Sequence, residues 1–267
     1  MARQRAGWWW MWGVAMLVLS GCATTRVPDK GHFVERRVTV DGRESRYQVF
    51  VPRDAKAQRG ALPVVLFLHG SGERGTDGHR QTTAGLGPHL RDHARDFPAL
   101  VVLPQVPDDE EWAGINNRIA LAALDATIAE FGADPARQYL TGMSMGGYGS
   151  WNIALDHPTR FAAIVPVCGA VLAPRAVRAT LFVAPVSGEA DPYAAMASRL
   201  KATPIWMFHG ALDDVVLPED DRRLKVAFDA AGAKDVRYTE YPQGNHNAWD
   251  ATYADAAMWE WLFVQRR

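Results

Sequence analysis

The sequence predicts a single α/β domain, with a mostly parallel central sheet and helices on both faces. Three observations carry this. Continuous apolar runs, Pro63 to Leu68 and Leu100 to Leu103 foremost, read as strands buried on both faces. Apolar residues at helical spacing alternate with such runs along the rest of the chain, and strand, helix, strand in succession implies parallel pairing through crossover helices. The 267 residues are ample for one core of this kind and too few for two comfortable domains with a linker.

The first residues belong to another kind of segment. Arg3 and Arg5 precede an uncharged stretch from Ala6 to Gly21 that ends in Leu19-Ser20-Gly21-Cys22. This is the layout of a secretory signal, slightly short for a membrane span. Ala23 to Gly31 is small and polar with one proline, as a tether would be. The expected organisation is a signal peptide over 1–21, a tether over 22–31 and a folded domain over 32–267.

Within the domain, His32 to Val40 and Ser45 to Val51 alternate polar and apolar residues around Asp41-Gly42, an antiparallel hairpin signal. After the two buried runs, Leu121, Leu124, Ile128 and Phe131 mark a helix that stops at Gly132. Tyr139 to Gly142 is a short strand, and Met145 to His157 a helix closed by Pro158. Strands over Phe161 to Val167, Ile205 to Phe208 and Val236 to Tyr241 follow, with a polar helix from Pro218 to Ala231 and an apolar one from Ala254 to Val264. Between Phe161 and Ile205 there is room for only a modest lid.

Charge excludes one class of partner. The 29 Lys plus Arg against 30 Asp plus Glu form no block of one sign, so nothing is basic enough to track nucleic-acid phosphates. Two cysteines, Cys22 and Cys168, cannot build a disulfide framework or a structural zinc site, and the histidines show no metal-ligand spacing. Neither a metal nor an organic cofactor is expected.

Catalytic chemistry enters at Gly142-Met143-Ser144-Met145-Gly146, between a strand and a helix. A serine there is held on a sharp turn above the carboxyl end of the sheet, and small residues are needed on both sides. A serine hydroxyl is a weak nucleophile without help, so a base and an acid must follow in the chain. Of eight histidines, His246 falls in the loop after the last strand, from which an imidazole can be delivered over the sheet edge. For the acid, Asp213 and Asp214 both follow the strand that ends at Phe208, and adjacent side chains cannot both face the imidazole. The oxyanion donors expected are the N–H of Met145 and that of Ser71 or Gly72, in the glycine-rich loop His69 to Gly75. Trp112 and Trp249 lie on loops that could wall a pocket.

Four stretches together resemble secreted bacterial esterases of the α/β-hydrolase superfamily, in the branch near dienelactone hydrolases, phospholipase/carboxylesterases and polyhydroxybutyrate depolymerase-like proteins. They are Leu68 to Gly75, Tyr139 to Trp151, Phe208 to Val216 and Asn245 to Asp250. The resemblance implies an α/β-hydrolase fold and the order Ser144, Asp213, His246, with Asp213 chosen over Asp214 because the pattern His-Gly-x-x-Asp ends there. It also implies hydrolysis of a small-molecule carboxylic ester through an acyl-Ser144 intermediate. Leu217 departs from a commoner Pro, outside the chemistry. The residues before Cys22 resemble a lipoprotein signal, which implies an acylated Cys22, a bilayer as partner and a place in the cell envelope, with the absence of Asp at Ala23 favouring the outer membrane. A small serine peptidase with the same triad, and a catalytically silent envelope lipoprotein that binds without turning over, are the competing readings.

Overall fold

The computed structural model describes Met1, residues 29–174 and residues 178–267. The expected signal peptide, Cys22 and most of the tether lie outside the described residues. Eight strands make one sheet: β1 (His32–Val40), β2 (Arg43–Val51), β3 (Leu62–Leu68), β4 (Leu100–Pro104), β5 (Ala133–Met143), β6 (Ala163–Val167), β7 (Ile205–Gly210) and β8 (Val236–Tyr241). Their spatial order is β1-β2-β4-β3-β5-β6-β7-β8. The pairs β1–β2 and β2–β4 are antiparallel, and every other pair is parallel. The N-terminal hairpin closes as expected through Asp41 and Gly42, both at positive φ, which matches the right-handed twist of the strands it joins.

Among the described residues, seven α-helices cover the sheet: α1 (Leu86–Asp92), α2 (Ile115–Phe131), α3 (Met145–Asp156), α4 (Pro192–Leu200), α5 (Glu219–Ala230), α6 (Trp249–Ala254) and α7 (Ala256–Val264). The period-two alternation of the strands splits the core in two. Val64, Leu66 and Leu68 of β3 face a layer with Leu124 of α2, Trp151 of α3 and Phe228 of α5. Val65 and Phe67 face the opposite layer, with Leu90 of α1, Tyr253 of α6 and Trp259 of α7. This is the α/β-hydrolase architecture, with helices on both faces.

Three elements differ from the sequence reading. The apolar C-terminal helix expected near Ala254 to Val264 is α7, which starts at Ala256 because Asp255 is extended and its carboxylate accepts from the Ala257 N–H at 2.9 Å; the short helix α6 just before it was not expected. Strand β5 begins at Ala133 rather than Tyr139, its first residue pairing with Leu62 beyond an irregularity in the ladder. The short helix α4 lies in the segment expected to hold a lid, started by Asp191, whose side chain accepts from Tyr193 and Ala194 N–H, and by Pro192. Among the described residues no helix is long and apolar enough to cross a membrane.

The topology fixes where a site can form. From the adjacent parallel strands β3 and β5, the chain builds outward in opposite directions, to β4 on one side and to β6, β7 and β8 on the other. Beyond the carboxyl ends of β3 and β5 the connections diverge and leave a crevice, the place where open α/β sheets bind ligands.

Candidate active site

Strand β5 runs into α3 with Ser144 as the single residue between them. Ser144 has φ 53 and ψ −118, a conformation costing on the order of 1–3 kcal/mol for a residue with a side chain. Backbone bonds hold it there: its N–H donates to Val167 O at 2.9 Å, and its carbonyl accepts from Gly147 and Tyr148. The flanking glycines are steric requirements. A Cβ at Gly146 would come within 1.9 Å of Leu68 O, and one at Gly142 within 2.3 Å of Gly146 O.

The base comes from the loop after β8. Ser144 Oγ–H donates to His246 Nε2 at 2.9 Å, and His246 Nδ1–H donates to Asp213 Oδ2 at 2.7 Å. The second oxygen, Asp213 Oδ1, accepts from the Val215 and Val216 N–H groups, both at 2.9 Å. Asp213 is buried and Asp214 exposed, so the carboxylate aimed at the imidazole is Asp213. Burial alone would raise the Asp213 carboxyl; hydrogen bonds from His209 and His246 reverse this and hold it well below the usual carboxylate range. The loops carrying acid and base are stapled together: Ala211 N–H donates to Tyr241 O at 2.9 Å and Leu212 N–H to Gly244 O at 2.8 Å.

Met145 and Ser71 each open a helical turn, where N–H groups lack intrahelical acceptors. Ser71 and Gly72 line a cavity of about 400 Å³ together with Ser144 and His246. The loop that carries them hangs from His69, which is fully buried and bonded at both ring nitrogens: Nδ1 to Gly70 O at 2.6 Å and Nε2 to the Val106 N–H at 3.0 Å. Desolvation lowers its pKa to about 4, so His69 is a neutral strut. Trp249 lines the cavity and meets the His246 ring edge to face, centroids 5.5 Å apart. Trp112 does not wall the cavity. It is 2% exposed, packs in the core and donates Nε1–H to His69 O at 2.9 Å, supporting the glycine-rich loop from beneath.

Sequence reasoning missed two charged residues on the cavity. Arg178 pairs with Glu111 at 2.7 Å, bonds Ser71 Oγ and comes within 3.6 Å of Met145 Sδ, so one guanidinium touches the side chains of both expected oxyanion donors. Glu73 also lines the cavity, and burial pushes its carboxyl up. Neither belongs to a residue pattern with a chemical meaning of its own. Among the described residues, Cys168, Asp213 and His246 form the one trio spaced for a metal ion. Two of these are already bonded to each other, and burial raises the Cys168 thiol well above its ordinary value.

Residues 119–265 match the prolyl oligopeptidase family, a stretch that includes Ser144, Asp213 and His246. NocK of Nocardia uniformis subsp. tsuyamanensis, provisionally described as an esterase, is 29% identical over 168 residues, covering 59% of this chain and 48% of NocK. The chain therefore spans about half the length of that curated relative. A thermostable esterase of known structure superposes with a TM-score of 0.71 at 33% identity, over 88% of this chain and 63% of its own. A ferulic acid esterase superposes with a TM-score of 0.67 at 15% identity, over 89% of this chain and 99% of its own, a likeness of fold alone.

If Asp213 fixes the tautomer of His246, Asp213→Asn keeps the fold and lowers kcat by something on the order of 10⁴. Asp214→Asn leaves kcat close to wild type. Steady-state hydrolysis of p-nitrophenyl acetate by both variants, with circular dichroism as a check on folding, decides the assignment; the reverse ranking refutes it.

Proposed function

The chain belongs to the prolyl oligopeptidase family, and from that premise we propose that it is a serine carboxylesterase acting on soluble or moderately hydrophobic carboxylic esters. The observation that carries the reading is the continuous hydrogen-bonded line from Ser144 Oγ through His246 to Asp213, opening on a cavity with a largely apolar wall. In the reaction, His246 Nε2 takes the Ser144 proton as Oγ attacks the ester carbonyl. The Met145 and Ser71 N–H groups receive the oxyanion. His246 then protonates the leaving alcohol, and in the second half it deprotonates the water that releases the acid from Ser144.

A cavity of about 400 Å³ walled by Met143, Leu181, Val215, Val216 and Trp249 suits a short acyl or single aryl group rather than a long lipid chain. Ester chemistry is favoured by NocK and the thermostable esterase, the relatives nearest a third identical. The family match keeps the same machinery on amide bonds as the second reading.

The envelope location rests on sequence. An uncharged stretch ending in Leu19-Ser20-Gly21-Cys22 supports cleavage before Cys22 and acylation of its thiol, which would tether the domain to a membrane through two or more chains.

Purified residues 23–267 are expected to react with a fluorophosphonate at Ser144 and to hydrolyse short p-nitrophenyl esters, and Ser144→Ala to lose both. Wild type that neither labels nor turns over any ester or amide would favour the silent binding lipoprotein. In a matched panel of acyl esters and aminoacyl amides, amide turnover exceeding ester turnover would make the protein a peptidase. In cells, Cys22→Ser is expected to abolish incorporation of a fatty-acid analogue and to release the protein from the membrane fraction; unmodified, freely soluble wild type would contradict the anchor.

A further inference from the structure

Behind the acid lies a second histidine–carboxylate pair that the reaction as described does not use. His209, the last residue but one of β7, is completely buried, and so is the Asp221 side chain apart from 2%. His209 Nδ1 is 2.8 Å from Asp221 Oδ2. His209 Nε2 is 2.8 Å from the Val216 carbonyl and 3.2 Å from Asp213 Oδ2, the same oxygen that accepts from His246. Asp221 Oδ1 has no partner among the described residues, so this carboxylate is committed to one imidazole.

The protons follow from the partners. Nε2 faces only acceptors, a carbonyl and a carboxylate, and must carry a hydrogen. Nδ1 faces Asp221, and one further proton belongs to that contact. Burial works to lower the His209 pKa, but the hydrogen bonds it donates to Asp213 and Asp221 overcome this and lift the value to about 10. Burial pushes the Asp221 carboxyl up against the pull of His209. His209 faces two carboxylates whereas Asp221 faces one imidazole, so the shared proton resides on His209.

A buried carboxylate beside a neutral base has hydrogen-bond donors but no counter-ion. His246 must be neutral to accept the Ser144 proton, so it cannot be the cation that balances Asp213. We propose that His209, held protonated by Asp221, is a positioning residue that keeps Asp213 ionised and aimed at His246, extending the catalytic line to Ser144–His246–Asp213–His209–Asp221. This rests on the hydrolase reading above. No bond is made or broken at His209; its proton stays in place through the cycle. Asp221 lies in the first turn of α5, where the helix N-terminus favours a negative charge.

Removing a cation from beside the line of hydrogen bonds favours its protonated form, so the acid limb of kcat/KM moves to higher pH. The other charged or titratable groups around the pair are Asp220 and Arg222 on α5, Tyr238 and Glu240 on β8, Tyr148 on α3 and Cys168 after β6. Arg222 is bonded to Glu240 at 2.7 Å and is spoken for.

The test uses His209→Gln, which retains a donor toward Asp213 without the charge, and Asp221→Asn, which lets His209 become neutral. Rates are taken per fluorophosphonate-titrated site, which removes any unfolded fraction and independently establishes that wild type is a serine hydrolase. Expected is a fall of about tenfold in plateau kcat/KM in either variant, with an upward shift of the acid limb by roughly half to one pH unit in His209→Gln and a smaller shift of the same sign in Asp221→Asn, where loss of the carboxylate charge partly offsets loss of the imidazolium. A merely structural loss would lower the active fraction and leave the limb in place. Nitrogen-15 NMR of the wild type reads the same claim without substitution: both ring nitrogens of His209 carry hydrogen at neutral pH. An active wild type whose limb is unmoved in the folded variants, or whose His209 ring carries a single proton at neutral pH, overturns the proposal.

Discussion

The ion that this protein has to keep in its interior is the Asp213 carboxylate. It sits with its side chain fully out of water, bonded to the His246 imidazole. Each neighbouring element contributes to making that tolerable. The turn after β7 supplies two N–H groups to one oxygen. The loop after β8 supplies His246 and is stapled to the acid loop by backbone bonds. Inside the domain, β7 and α5 bring His209 and Asp221 against the remaining side. Desolvation would cost a lone carboxylate several kcal/mol, and the ring of donors offsets it. The same ring fixes the direction of the carboxylate, and with it the tautomer of His246.

The turn at Ser144 depends on a steric constraint of a different kind. Ser144 stands at positive φ because β5 and α3 leave one residue to reverse direction, and the two glycines two residues away let Leu68, Gly146 and Gly142 approach without side chains between them. Parallel pairing of β3 with β5 then brings the His69–Gly75 loop beside the turn. His69 and Trp112 secure that loop from inside the core, which is why residues that look chemical in sequence serve here as supports.

Much of this was legible in the sequence because it is written in local pattern. Period-two alternation and buried runs located all eight strands, and the spacing of Gly142, Ser144 and Gly146 located the sharp turn. His246 and Asp213 followed from chain order and from the resemblance. What was not legible depends on tertiary contact. Trp112 was expected on a pocket wall, yet its indole turns inward to bond His69 O, and loop composition carries no such information. Arg178 is one of several arginines in a segment without periodicity, and only folding sets it against Ser71 and Met145. The short helix α6 ahead of the C-terminal one was not read, since the break between them is set by the Asp255 side chain accepting from the Ala257 N–H. His209 was seen only as the start of the acid motif, since its second partner, Asp221, lies on another element.

The central claim is that these constraints converge on covalent acyl transfer at one serine. It is tested most directly by rapid-quench mass spectrometry of the enzyme mixed with excess p-nitrophenyl acetate. The account predicts a burst of p-nitrophenol matched in amount and time by acetylation of the peptide that carries Ser144. Steady turnover with no acylated enzyme, or acetyl groups on any other residue in step with the burst, would contradict it.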